Sequence, residues 1–309
     1  MKSRRQTTII AALSLLVSLA ASVVSLRHVD RIRPQATLDE VLYINSPAVL
    51  KRASLGYDGL LADIYWTRAV QYFGNRHYNY AQSYNLLAPL LEITTTLDPH
   101  LLVAYQFGAS FLAPRPPMGA GQSDRAIQLM EYGIKNNPNE WRLYYDLGFV
   151  YYMELKNYGK AADAFARGSR VPNAHPFLRI LAGQMAQHAG DFETARTLWA
   201  ATYQTSQDKL IRQNAAEHLR AVRVDEDVTN LQRAVTRFGQ RTGRLPSSIS
   251  ELVAAEGLRG IPVDPDGNSY RMTAEGRILV QNPDDFPFIT TGTPPGYKPP
   301  SAPKLHDHP

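Results

Sequence analysis

Cysteine is absent from the 309 residues. Disulfides, thiolate zinc sites, iron–sulfur clusters, lipid attachment through cysteine and cysteine nucleophiles are thereby excluded. A large excess of one charge is missing too. The 33 basic and 28 acidic residues leave a formal +5, and the two signs are interleaved instead of gathered into a basic block, so no nucleic-acid partner is expected. Compact catalytic signatures are lacking: there is no HExxH, no phosphate-binding glycine loop, no GxSxG and no kinase set. The histidines are scattered, and His77, His100, His175, His188 and His218 have no carboxylate at ligand spacing. No metal, no cofactor and no enzymatic activity are therefore expected; the alternative is an enzyme of unrecognised type whose site is assembled from distant residues. Apolar material is not scarce. At 44% hydrophobic over this length, the chain has enough for ordinary cores, and a wholly disordered reading fails.

One long apolar run stands at the N-terminus. Residues 7–26 carry no charge between Lys2, Arg4 and Arg5 on one side and Arg27, His28 and Arg31 on the other. As a helix the run is about 30 Å long, enough for a bilayer's hydrocarbon core. The expectation is a single-pass anchor over residues 1–33 in the inner (cytoplasmic) membrane, with the bulk of the chain on the periplasmic side. A cleaved signal peptide is the competing reading, with Ser18-Leu19-Ala20 as the small-residue site. Ser14, Ser18 and Ser22 recur every fourth residue and would let a second helix approach closely, which makes self-association one option; serine tolerated in a marginal anchor is the plainer one.

Periodicity governs the middle of the chain. Ala126-Met130-Gly133, Ala161-Phe165-Gly168 and Ala195-Trp199-Thr202 share one i, i+4, i+7 spacing, that of one helix face. Their first residues are 35 and 34 positions apart, and Pro138 and Pro172 are 34 apart. Phe107-Gly108, Leu147-Gly148 and Ala182-Gly183 stand where the first helix of each unit needs a small residue at its closest approach to the second. Each unit thus reads as a helical hairpin. Residues 113–122 form an insertion within the second unit, and one extra residue is expected in the turn near Leu155-Lys156-Asn157 of the third. Upstream, residues 55–74 form an apolar helix in which Asp63 pairs with Arg68 or caps a neighbouring turn.

Trp141 to Pro172, with Leu147-Gly148, Tyr151, Ala161, Phe165 and Pro172, resembles the tetratricopeptide repeat, and the resemblance extends over residues 59–206. It implies a mainly α fold, a TPR-like helical-hairpin solenoid spanning residues 34–224, whose inner, concave face is lined by the first helix of each unit. Such a face implies a bound polypeptide. The candidate protein-binding residues are Tyr105, Gln106, Tyr145, Asp146, Phe149, Tyr152, Met153 and Gln184; the aromatics among them suit an interface and equally suit packing within the stack.

After Val224 the pattern changes. Val228, Leu231, Val235 and Phe238 mark a helix that ends at Gly243-Arg244-Leu245-Pro246, and a short helix follows behind the cap Ser248. Turns and short strands follow over residues 261–272 and 276–280. This order of features resembles the globular end of type II secretion and type IV pilus pseudopilins, which implies a small α+β module over residues 225–282 and clients among secretion or pilus components. Asp264, Asp266, Asn268 and Glu275 fall near the spacing of a calcium loop, but an ordinary Asp-Pro-Asp-Gly turn accounts for them. Residues 283–309, rich in proline and ending with His306 and His308, read as a flexible tail. The whole is expected to be a membrane-anchored scaffold that binds other proteins in envelope assembly, or alternatively a structural subunit of a secretion or pilus-like apparatus.

Overall fold

In the computed structural model, residues 2–32, 46–258 and 260–299 are described; within the first helix the side chains of residues 13–28 are. The architecture is mainly α. Helix α1 spans Lys2–Ile32. Its described side chains are all exposed, and Ser22 Oγ bonds the Ser18 carbonyl at 2.9 Å within the helix. Among the described residues no helix is long and apolar enough to cross a membrane; the expected span, residues 7–26, falls partly on residues 7–12, whose side chains lie outside the described ones.

Ten helices follow in four hairpins with flanking pieces: α2 (Pro47–Ala53), α3 (Asp58–Tyr78), α4 (Leu87–Leu97), α5 (Leu102–Leu112), α6 (Ser123–Asn136), α7 (Trp141–Phe149), α8 (Tyr158–Ser169), α9 (Phe177–His188), α10 (Phe192–Thr205) and α11 (Lys209–Thr242). From α3 onward each helix packs on the next, and α5 also touches α7. One core cluster runs from Tyr72 and Leu90 through Tyr105, Met130 and Leu147, and a second holds Phe165, Trp199 and Val222. Helix α3 begins three residues later than the expected start, because Leu55 and Gly56 turn the chain at φ +50° and +93°. Asp63 on it is exposed.

The small residues sit where the helices need them. A Cβ on Gly108 would stand 2.8 Å from a Leu129 methyl, one on Gly183 3.0 Å from the Trp199 indole, and one on Gly148 only 2.4 Å from the Phe165 ring. In these three hairpins, therefore, a large side chain of the second helix lies directly on the backbone of the first. Charged pairs tie the second helices across units, as where Arg167 on α8 grips both Glu131 oxygens on α6 at 3.1 and 3.2 Å.

The boundary expected between residues 224 and 225 falls inside α11, a single helix of 34 residues. Its first half closes the helical stack with Ala215 and Val222; its second half presents Val228, Leu231, Val235 and Phe238 to Leu252, Tyr270, Ile278 and Val280. The apolar stripe rotates from one core to the other, so along the sequence a change of partner looks like a change of element. The short helix is α12 (Ile249–Glu256), capped by Ser248 Oγ on the Glu251 N–H at 3.1 Å. Two antiparallel strands, β1 (Arg271–Met272) and β2 (Ile278–Leu279), complete the module. Gln232 pins their hairpin by donating to the Gly276 carbonyl (2.9 Å) and accepting from the Ile278 N–H (3.1 Å).

The flexible tail expected from residue 283 is not found among the described residues to 299. Phe286 is buried, Val280 bonds the Gly292 carbonyl at 2.9 Å, and Tyr297 reaches Asp284 at 2.8 Å. Proline richness restricts helix and sheet but does not prevent aromatic and threonine side chains from anchoring an irregular strand. Residues 300–309, with His306 and His308, lie outside the described ones.

Candidate functional site

Helix α7 starts behind Glu140, whose carboxylate accepts the Arg142 N–H at 3.2 Å. Leu143, Tyr144, Leu147 and Gly148 face the core, and the opposite face carries Tyr145, Asp146 and Phe149, each half-buried. The extra residue of this unit, expected in the turn, is taken up largely before it: α7 runs into a π turn over Val150–Glu154. Lys156 then reverses the chain at φ +51°, and Asn157 caps α8 by accepting the Lys160 N–H at 3.1 Å. Inserting a residue by widening one helical turn preserves the hairpin while rotating Met153 and Glu154 outward.

Along this face the aromatic rings form a row. Trp141 meets Tyr145 edge-on at 6.3 Å, Tyr145 meets Phe149 at 4.7 Å, Phe149 meets Tyr152 at 6.2 Å, and Tyr152 meets Tyr158 at 6.0 Å. His188 stacks on Tyr158 at the far end (5.3 Å). Phe165 supports Tyr145 and Phe149 from beneath, so the rings are held at fixed spacing and little rotamer freedom is left to lose on contact with a ligand.

Two hollows flank Asp146. One, of about 370 Å3, is lined by Gln106, Trp141, Arg142, Tyr145, His175 and Phe177 as well as Asp146. The other, of about 180 Å3, lies between α5 and the π turn, with Ser110, Phe149, Met153 and Glu154 among its walls. Burial pushes the Asp146 carboxyl up to about 7, against the hydrogen bond from Gln106 and the charge of Arg142 and with the help of Glu140. Its Oδ2 is inaccessible and accepts no hydrogen bond.

The residues predicted from sequence divide accordingly. Gln106, Tyr145 and Asp146 line the larger hollow, Asp146, Phe149 and Met153 the smaller, and Tyr152 continues the aromatic row. Gln184 is half-buried on α9 and borders neither hollow. Tyr105 must be withdrawn from the surface: it is fully buried, its ring lies against Gly133, and its hydroxyl donates to the Pro99 carbonyl at 3.0 Å. Glycine at 133 leaves room for that ring to turn inward. Trp141, His175 and Phe177 were missed; the first two meet at 6.2 Å across the α7–α9 junction, a proximity that sequence spacing does not encode.

Next along α9, the inner face is covered by the chain itself. Gln187 donates to Asp225 (2.8 Å) and to the Phe288 carbonyl (2.9 Å). Asp225, fully buried, also takes the backbone N–H and hydroxyl of both Thr290 and Thr291 at 2.8 to 3.1 Å. His218 is sandwiched between Trp199 (3.9 Å) and Phe288 (4.0 Å). Of the candidate calcium ligands, Asp264 Oδ1 accepts the N–H groups of Asp266 and Asn268, and Asp266 accepts two bonds from Arg220 at 2.9 Å. Among the described residues no cluster of three or more metal-ligating side chains occurs. Compared with known proteins, the chain matches no family model, no curated protein and no solved structure.

Proposed function

We propose that the chain is a non-enzymatic scaffold, anchored in the inner membrane through residues 7–26, whose helical hairpins form a TPR-like solenoid on the periplasmic side and hold a polypeptide segment along α5 and α7 as far as the start of α9, beyond which the chain covers its own inner face. The observation that carries this reading is the row of half-buried rings from Trp141 to Tyr158 bordering two open hollows. Rigid aromatics with polar tips offer contact area at low entropic cost and are enriched in protein interfaces. A small-molecule enzyme would need acids, bases or nucleophiles converging on one point, whereas here Asp146 stands beside the Gln106 amide, with Glu154 in one hollow and His175 in the other. The pseudopilin-like module on α11 makes components of a secretion or pilus-like apparatus the favoured clients; Ser14, Ser18 and Ser22 would serve contacts between anchors.

The test is photocrosslinking in intact membranes. A photoreactive residue at Tyr145 should capture a discrete partner, whereas one at Lys135, exposed on α6, should not. Equal yields at both positions, or none at Tyr145, would remove the groove from the account.

A further inference from the structure

The smaller hollow differs from the rest of the groove in its charge. Asp146 and Glu154 both line it, and no basic side chain does. Its other walls include Phe149, Met153 and Pro114. Glu154 has no ion-pair partner among the described residues, and Asp146 Oδ2 accepts no hydrogen bond. The nearby cations are engaged or lie elsewhere. Arg142 is bonded to Glu140 at 3.0 Å, lies over the Trp141 ring and lines the other hollow. Arg115 borders a neighbouring cavity, which Glu154 also reaches, without pairing with it.

Two carboxylates above an apolar wall attract a positive charge that brings its own apolar stem. We infer that this hollow receives the side chain of a lysine or arginine from the polypeptide lying in the groove. The assignment rests on the groove binding a polypeptide, and adds which side chain it selects. At about 180 Å3, the space suits one long side chain and not a folded element. The methylenes would lie along Phe149 and Met153 and the cationic head against Glu154, with the enclosed Asp146 carboxyl acting on it as a neighbouring charge and the Phe149 face adding a cation–π contact. The π turn makes the slot, because it swings Met153 and Glu154 to the side that Asp146 occupies.

A cation placed there favours the ionised form of Asp146. That carboxyl is held up to about 7 chiefly by burial, with Gln106 on α5 and Arg142 opposing and Glu140 reinforcing the shift; Glu154 from the π turn and His175 across the other hollow are the remaining titratable neighbours. Binding therefore releases a proton in the neutral range, and affinity rises about tenfold from pH 6 to pH 8.

The experiment uses the full chain in detergent micelles with 13C-labelled aspartate, titrated with N-acetyl-lysine amide and, separately, N-acetyl-norleucine amide. The lysine compound should move the Asp146 carboxyl resonance and bind about tenfold more tightly at pH 8 than at pH 6. Norleucine, which has the stem and no charge, should do neither. Asp146→Asn should abolish the pH dependence, and Glu154→Gln, a change on a partly exposed turn, should weaken lysine binding several-fold with unchanged thermal unfolding. An equal response to both compounds, or no response to lysine at either pH, overturns the assignment. A partner captured at Tyr145 without any lysine response sinks this assignment alone; a lysine response with no partner captured sinks the scaffold reading instead.

Discussion

Thr290 gives both its backbone N–H and its hydroxyl to Asp225, at 2.9 and 2.8 Å, across 65 residues of sequence. With Thr291 contributing the same way and Gln187 adding its side-chain amide, one buried carboxylate on α11 fastens the C-terminal segment to the last helical hairpin. Burial alone would raise this carboxyl, and the donated hydrogen bonds work against that.

Replacing Asp225 by alanine takes the shared acceptor from all of these donors at once, leaving the buried Gln187 amide without it and freeing the exposed Thr290 and Thr291. The expected cost is about 3 kcal/mol, and residues 286–292 should exchange their amide protons freely while the hairpins around Leu147 stay protected. Hydrogen exchange by mass spectrometry reads this directly; unchanged protection at Thr290 and Thr291 would show that the aromatic contacts suffice.

His218 has an opposite dependence on pH from Asp146. Burial between Trp199 and Phe288, with His188 adding positive charge, lowers its folded value to about 3. The unfolded chain thus takes up a proton first as pH falls below about 6.5, and stability drops by up to about 1.4 kcal/mol per pH unit toward pH 3. His218→Phe keeps a ring in the sandwich and should flatten this part of the stability curve in urea unfolding at pH 4 to 7.

Asp146 contributes in the other direction. Its folded value lies above the unfolded one, so the folded state keeps a proton that the unfolded chain has lost, and stability declines as pH rises from about 4 to about 7. Asp146→Asn should therefore stabilise the chain at pH 8, by on the order of 1 kcal/mol after allowance for partial solvent screening, and change little at pH 4. Calorimetry at the two pH values decides it; a loss at pH 8 would mean that the ionised carboxylate has a partner when folded.

Glycines in the same kind of helix should respond oppositely to alanine. At Gly148 the new methyl meets the Phe165 ring at 2.4 Å, and overpacking is expected to cost about 1–3 kcal/mol. At Gly74 in α3 nothing lies within 4 Å, and the gain in helix propensity should stabilise by about 0.5–1 kcal/mol. Thermal unfolding of both variants tests the close approach, and Phe165→Leu should recover part of the Gly148→Ala loss.

Local order was legible where neighbours along the chain carry it. The i, i+4, i+7 spacing placed Ala161, Phe165 and Gly168 on one buried face, Ser248 marked its helix start, and Gly108, Gly148 and Gly183 marked the close approaches. Helical periodicity and capping act within a few residues, so the sequence states them outright. Half of the candidate groove was legible for the same reason: Tyr145, Asp146 and Phe149 share one face of one helix.

What the tertiary structure decided is which face meets what. Tyr105 turned inward because Gly133, on the next helix, leaves space for its ring. Helix α11 passed through the expected boundary because its stripe exchanges one core for another, and the proline-rich segment became ordered because Asp225 and His218, far away in sequence, offer it bonds and a stacking surface. These outcomes depend on contacts between residues dozens of positions apart. Periodicity along a single chain specifies a helix and its apolar face, but the partner of that face exists only once the chain has folded.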